Sequence, residues 1–502
     1  MTPREADLTR QLEAALAAVA TLQAENALLR QKVDRLVRRV FGSTSERLSP
    51  GQLELLLALP ATTPVAVMPE PVPAPAPVRA RKERTPRLPE NLPVVEEVSV
   101  PDLVQAAPTE WRRIGQEVSE QLDYEPGRFL RRRLVRPKYV RKDDRDAAPI
   151  IAPLPPRLQD RSLPAPGLLA HVLVGKYCDH LPLYRQERLF ATRHGVNLPR
   201  QTLARWVELA AGWLEPICRQ IQAGVLAGGY VQVDETPVDY LDPGGGQTGQ
   251  GYLWVCAAPR GDVVFHWETS RAADCLAAVL PADFTGTVQC DGYAAYPAFA
   301  RQHPQPLTLA GCWAHVRRKF HDAREQSPKL SGWILRQLQH LYRVEAELRE
   351  LQAGPRLRAA VRASQSRMLV ERFRRALSRV QPRVLPQSLL GQAISYALGQ
   401  WPTLTVYLED GRVEIDNNLV ENALRPTALG KKNWPFVGAD TAGDRSAVLY
   451  TVIEGCRRRG LDPYAYLKDV LTRLPTLTNH QAPEITPANW GKNHQPLRRL
   501  AA

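Results

Sequence analysis

Apolar residues recur every seven positions over residues 8–40. One seam holds Leu8, Ala15, Leu22, Leu29 and Leu36; the other holds Leu12, Val19, Asn26, Val33 and Val40. Leu at d with Val at a suits a two-stranded parallel coil, and Asn at one a position selects a register at a cost in stability. A single amphipathic helix folded on its own chain is the alternative. Residues 1–58 are expected to form a coiled coil, joining a homodimer or larger assembly. Residues 59–92 are dense in proline, which lacks an N–H and fixes φ, so an extended linker follows. Arg79, Arg81, Lys82, Arg84 and Arg87 make its end basic. Residues 93–150 read as a small domain with strand-like alternation. Its run FLRRRLVRPKYVRK fits either DNA contact or a solvated, charged edge strand.

Helical spacing takes over across residues 160–225. A short helix, a turn at His194-Gly195-Val196-Asn197 and a second helix follow in order, with Gly195 as the stop. On the second helix Gln201, Thr202 and Arg205 face outward, and Leu203, Trp206 and Val207 face inward. A helix-turn-helix that enters the major groove has this pattern, and so do many helical hairpins. From residue 229 the period changes again. YVQVDETPVDYL, GYLWVCAAP and DVVFHWETS read as strands, with turns at Gly244-Gly245-Gly246 and Arg260-Gly261. A helix over 271–281, the strand GTVQCDGYAAY, a short helix and the strand LTLAGCWAH complete the series. This is the strand and helix order of a ribonuclease-H-like core, in which the first strand lies beside the end of the fourth. Residues 314–408 are helical in pattern and interrupt that core, which resumes over 409–455. Residues 456–502 are left as a C-terminal tail. The fold class is multidomain α/β, with core segments 226–313 and 409–455 flanking the insertion.

Composition narrows the partners. The 502-residue chain has a formal charge of +14, which suits a polyanion such as DNA. Seven cysteines include no CxxC pair and no disulfide spacing, which fits a reducing compartment. No secretory leader and no membrane span are expected.

The fold order brings acids together. Asp234 ends the first strand's apolar run and Asp291 stands at the end of the fourth, so the two would meet on neighbouring strands. Paired carboxylates repel unless cations neutralise them, and their hard oxygens suit Mg²⁺. Two such ions activate a water or a 3′-hydroxyl and stabilise the leaving oxygen of a phosphodiester. A third acid is sought in GRVEIDNNLVENALRPTALGKKNWPF, where Glu421, Asp416 and Glu414 compete. Glu421 and Arg425, four residues apart, share a helix face, so an ordinary ion pair is a further reading.

Several blocks resemble the transposase family of insertion sequence 66. They are Phe41-Gly42-Ser43-Thr44-Ser45-Glu46, IGQEVSEQLDYEPGRF, YCDHLPLYRQERLF, VDETPV, GYLWV, QCDGYAAY, CWAHVRRKF and DNNLVENALRPTALGKKNW, in that order along nearly the whole chain. The resemblance implies a DDE transposase, a metal-dependent polynucleotidyl transferase with Asp234, Asp291 and Glu421 as catalytic and metal-holding residues. It favours Glu421 over Asp416. Two Mg²⁺ ions, replaceable by Mn²⁺, would serve the site. Cys312 and His315 match a Cys-x-x-His signature that supports such sites. Gln201, Thr202, Arg205, Arg317, Arg318, Lys319, Arg425, Lys431 and Lys432 are the candidate DNA contacts. The substrates would be double-stranded transposon ends, recognised by their inverted repeats, and target DNA. Accessory proteins of the element and a nucleoid-associated bacterial cytoplasmic location are further expectations. Family members carry paired cysteines for zinc in the small module, but residues 93–150 hold none, so zinc is not carried over. A resolvase-like nuclease and a DNA-binding regulator with a dead core are the rival readings. The zipper, the insertion and the intact acids argue against them.

Overall fold

A computed structural model describes residues 92–125, 127–143, 148–241, 248–259 and 261–494. The expected coiled coil, nearly all of the proline-rich linker and the Gly244–Gly246 turn lie outside the described residues.

The small module is a sheet of β1 (Val94–Val98), β2 (Trp111–Glu125), β3 (Arg128–Arg141) and β4 (Ile150–Ile151). β2 and β3 form a long antiparallel hairpin, and β1 lies parallel to β3. The basic strand β3 is thus central rather than at an edge. Phe129, Leu130, Val135 and Val140 are buried, two on each face of β3. The cations of β3 are largely matched within the sheet. Arg131 and Arg133 meet Glu120, Arg132 meets Asp123, and Arg136 and Lys138 meet Glu117. A charged, internally neutralised strand describes this segment better than a DNA contact.

Three helices follow: α1 (Pro166–Tyr177), α2 (Leu183–His194) and α3 (Arg200–Leu226). Gly195 closes α2 in the left-handed region at φ 65°. Its N–H donates to the Ala191 carbonyl and the Val196 N–H to the Phe190 carbonyl, the pattern of a Schellman stop. Pro199 caps α3. Leu203, Trp206 and Val207 are buried, Gln201 and Arg205 are exposed, and Thr202 is half-buried. At 27 residues α3 continues well beyond a short reading helix. Its later apolar stripe, including Leu214, Ile217 and Ile221, packs into the main core.

That core surrounds a six-stranded sheet of β5 (Tyr230–Leu241), β6 (Thr248–Ala257), β7 (Val263–Glu268), β8 (Gly286–Gln289), β9 (Leu307–Ala310) and β10 (Phe436–Val437). Its main path runs β7-β6-β5-β8-β9. The first three strands are antiparallel, and β8 and β9 run parallel to β5. The helix expected over 271–281 is shorter, a turn at Ala273–Cys275 and a helix at Leu276–Val279. Helix α4 (Ala295–Gln302) joins β8 to β9.

The insertion is helical, as its pattern suggests: α5 (Trp313–Asp322), α6 (Pro328–Glu350), α7 (Pro355–Val361), α8 (Arg367–Val380) and α9 (Leu389–Gly399). It has its own core, built on Trp313, Phe320, Leu338, Phe373, Ile394 and Trp401. Val413 and Ile415 belong to this core, so the insertion's packing extends past the expected boundary at 408. The chain then enters α10 (Asn418–Asn433), which packs across β5 and β6.

Residues 456–490 are folded and not a tail. The expected boundary at 455 cuts α11 (Asp440–Arg458), and α12 (Pro463–Arg473) packs against α1. Tyr466, Leu467, Val470 and Leu471 carry the helical spacing that this burial requires.

Candidate active site

Strand register sets two of the acids. β5 pairs with β8 as far as Gln232 opposite Gln289. Asp234 stands two residues further along β5, and Asp291 two residues beyond the end of β8, near enough for its charge to act on Asp234. Asp291 accepts from the N–H of Tyr293, which turns the chain after the strand. Gly292 lies between them where a Cβ would come within 2.6 Å of Tyr396, so the insertion packs directly onto this turn.

The glutamines explain how the third acid arrives. Gln232 donates to the Asp416 carbonyl at 2.9 Å and to Gln289 Oε1 at 2.8 Å. Gln289 donates to the Glu414 carbonyl at 2.8 Å, and the N–H of Glu414 donates to the Tyr230 hydroxyl. All of these side chains are buried. Buried donors left unmade cost about 1–3 kcal/mol each, so the network pins residues 414–416 against the acidic face. Glu421 follows in the first turn of α10, where the helix dipole favours a carboxylate.

The rival acids are engaged elsewhere. Glu414 receives both guanidinium nitrogens of Arg358 at 2.9 and 2.7 Å. Asp416 caps α10, accepting from the backbone and side chain of Asn418. Glu421 instead faces His315 at 3.7 Å and Arg318 at 3.5 Å. It does not pair with Arg425, which is exposed on the same helix.

The electrostatics mark a surplus of negative charge. Burial pushes the Asp234 carboxyl up to about 8, and the charges of Glu235, Glu421 and Asp291 add to the rise. An N–H bond from Glu235 opposes it. Asp234 thus senses both other acids of the expected triad. The tightest set of potential ligand atoms among the described residues is a different one. Cys312, His315 and Glu421 place theirs within 4.8 Å of one another. Burial pushes the Cys312 thiol up to about 12 and lowers His315, whose fall Glu421 and Asp291 resist. Cys312 and His315 thus flank Glu421.

The candidate DNA contacts divide by position. Arg317, Arg318 and Lys319 are exposed on α5, with Lys319 above the Tyr396 ring at 4.6 Å. Lys431 is tied to the middle of β5 through Thr236 and the Pro237 carbonyl, and Lys432 is exposed. Gln201, Thr202 and Arg205 begin α3, with no hydrogen bond or ion pair to the three acids.

Sequence reasoning missed the other side of β5. Glu235 points away from Asp234, with its side chain 1% exposed. Arg271 donates to it at 2.7 Å and Tyr296 at 2.7 Å, and the Arg271 guanidinium stacks on Tyr293 at 3.8 Å. The second acid of VDETPV was the available signal. Gln232 and Gln289, polar residues within apolar strands, were another.

Comparison with known proteins agrees with this picture at the level of family. Residues 161–445 match the model described as Transposase IS66 family, and residues 451–487 match the IS66 C-terminal element. Residues 28–96 match the model described as Transposase C of IS166 homeodomain. Similar chains occur in Sinorhizobium fredii (strain NBRC 101917 / NGR234). Uncharacterized protein y4jD is 35% identical over 491 residues, covering 92% of this chain and 94% of the relative. Uncharacterized protein y4qI is 35% identical over 396 residues, covering 76% and 72%. Uncharacterized protein y4hP is 30% identical over 506 aligned residues, covering 94% and 90%. No helix among the described residues is long and apolar enough to cross a membrane. With a single model covering more than half of its length, the chain belongs to the IS66 transposase family.

Proposed function

We propose that this protein cleaves DNA at the terminal inverted repeats of its element and joins the freed 3′ ends to target DNA, using Asp234, Asp291 and Glu421 as a DDE triad. The observation that carries the reading is the acidic face of β5 and β8, where Asp234 is held beside two further acids. The strand order supports a ribonuclease-H-like core. Three carboxylates of hard oxygen, with an uncompensated buried charge, fit two Mg²⁺ ions, with Mn²⁺ as a substitute. When bound, such ions activate the attacking hydroxyl and stabilise the leaving oxygen.

The chain's own residues do the rest. Asp234 and Asp291 stay fixed by strand register. Glu421 is aimed by its helix, by His315 and by Arg318. Arg318, Arg425 and Lys432 supply positive charge for phosphates near the acids. Gln201, Thr202 and Arg205 present the exposed start of α3 to end DNA. Dimerisation through the N-terminal coil would bring two ends together. Accessory proteins of the element and a bacterial nucleoid setting complete the proposal.

Glu421→Gln compared with Asp416→Asn tests the third acid. Glu421→Gln is expected to lower end cleavage by about 10²–10³-fold or more, the range for losing a preorganised electrostatic group. Asp416→Asn is expected to stay within about tenfold of the native rate, because Asn keeps an acceptor for the α10 cap. The reverse ranking would assign the role to Asp416.

A further inference from the structure

The insertion carries a cationic trench that the triad does not account for. It lies between α5 and α6 and has a volume of about 850 Å³. Arg317, Arg318 and Arg324 line one wall, and Arg336 lines the other. Leu335 and Tyr342 contribute an apolar floor. Asn418, in the first turn of α10, closes the end towards Glu421, and Arg318 reaches that carboxylate at 3.5 Å. Along α5, from residue 314 to residue 321, the wall is roughly 10 Å long at helical rise.

We infer that this trench holds one DNA strand, unpaired, as it leaves the acidic site. Three observations point there. First, three of its four arginines are unmatched. Arg317, Arg324 and Arg336 have no acidic partner among the described residues, whereas the cations of β3 are matched by Glu117, Glu120 and Asp123. Unmatched arginines facing one cleft create a field for a polyanion. Second, the trench is small. Its volume of about 850 Å³ is too small to take in a duplex, whose major groove alone is about 12 Å wide, and suits a single backbone. Third, the floor is apolar and includes an aromatic ring, the surface on which unstacked bases rest in single-strand channels. Arg324 and Arg336 are the new positioning residues. The assignment rests on the proposed DNA chemistry, but its test does not use that chemistry.

The test uses the full chain in EDTA, with a fluorescein-labelled 12-nucleotide single strand of mixed sequence as probe. Arg324→Ala/Arg336→Ala is compared with the charge-matched Arg372→Ala/Arg374→Ala on the exposed face of α8. Arg324 and Arg336 are exposed, so folding is retained, checked by circular dichroism. The trench double variant is expected to bind at least about tenfold more weakly. The slope of log affinity against log salt is expected to fall by about 1.4, since each phosphate contact on a single strand contributes about 0.7. The control should change less than about twofold, and Arg324→Lys/Arg336→Lys should restore most of the affinity. An equal loss in both double variants, or an equal loss for a blunt duplex of the same sequence, overturns the assignment. Failure of the triad reading would show separately, as metal-dependent cleavage that survives loss of Asp291.

Discussion

Asp234→Asn is expected to stabilise the metal-free protein while removing its cleavage and joining activity. The native carboxyl is pushed up to about 8 by burial and by Glu235, Glu421 and Asp291. A carboxyl raised in the fold is protonated there before it is in the unfolded chain. Its penalty is absent below about pH 4, grows as pH rises towards 8, and then levels off. Near neutral pH the amide should therefore gain on the order of 2 kcal/mol in EDTA, or a few degrees in Tm. The gain should shrink to nothing by pH 4. Saturating Mg²⁺ should close the gap from the other side, because it stabilises the native site and not the amide. Scanning calorimetry of both proteins at two pH values, with and without Mg²⁺, makes the check. An amide variant no more stable than native in EDTA would mean that no excess charge is stored at Asp234. Cleavage by the same variant should fall by about 10²–10³-fold or more.

The second large effect lies in the insertion core. Glu345 and Arg362 are fully buried. Arg362 opens a π-turn over Arg362–Ser366, between α7 and α8. It donates to both oxygens of Glu345 at 2.7 and 2.8 Å, and to the carbonyls of Tyr407 and Val413 at 2.7 and 2.8 Å. Arg358 bridges Glu345 to Glu414. One buried network therefore holds the chain that runs through 413–416 into Glu421. Arg362→Met should lower stability by about 3–5 kcal/mol, because Glu345 keeps its charge with half its partners. Arg362→Met/Glu345→Met should recover much of that loss, since no lone buried charge remains. Activity should not recover in parallel, because the carbonyls of 407 and 413 still lack their donor. Urea unfolding followed by tryptophan fluorescence reads the first effect, with Trp313 and Trp401 in this core. A cost under about 1 kcal/mol for the single change would show that the network is not holding the segment.

The strands of the core were legible because their apolar runs and turns are local. Asp234 and Asp291 could be placed from them, since strand order brings the two ends together. The helical hairpin was legible for the same reason, with Gly195 marking the stop. What escaped was non-local. Arg358 and Glu414 are 56 residues apart and read as solvated charges until packing joins them. The cations of β3 read as free because their acids lie across the hairpin. Glu421 could not be separated from Asp416 by spacing alone; resemblance chose it, and the engagement of Asp416 in the α10 cap agrees. The packed helix α12 was missed although its apolar spacing was present, because no chemistry drew attention to it.

The most direct test of the central claim is a Mg²⁺-dependent cleavage and joining assay on the element's own end DNA with a target plasmid, comparing the native chain with Asp291→Asn. Joined product that needs the metal and vanishes in the variant is the expected result. Joined product of equal yield from both proteins, or cleavage that ignores the metal, would contradict the triad.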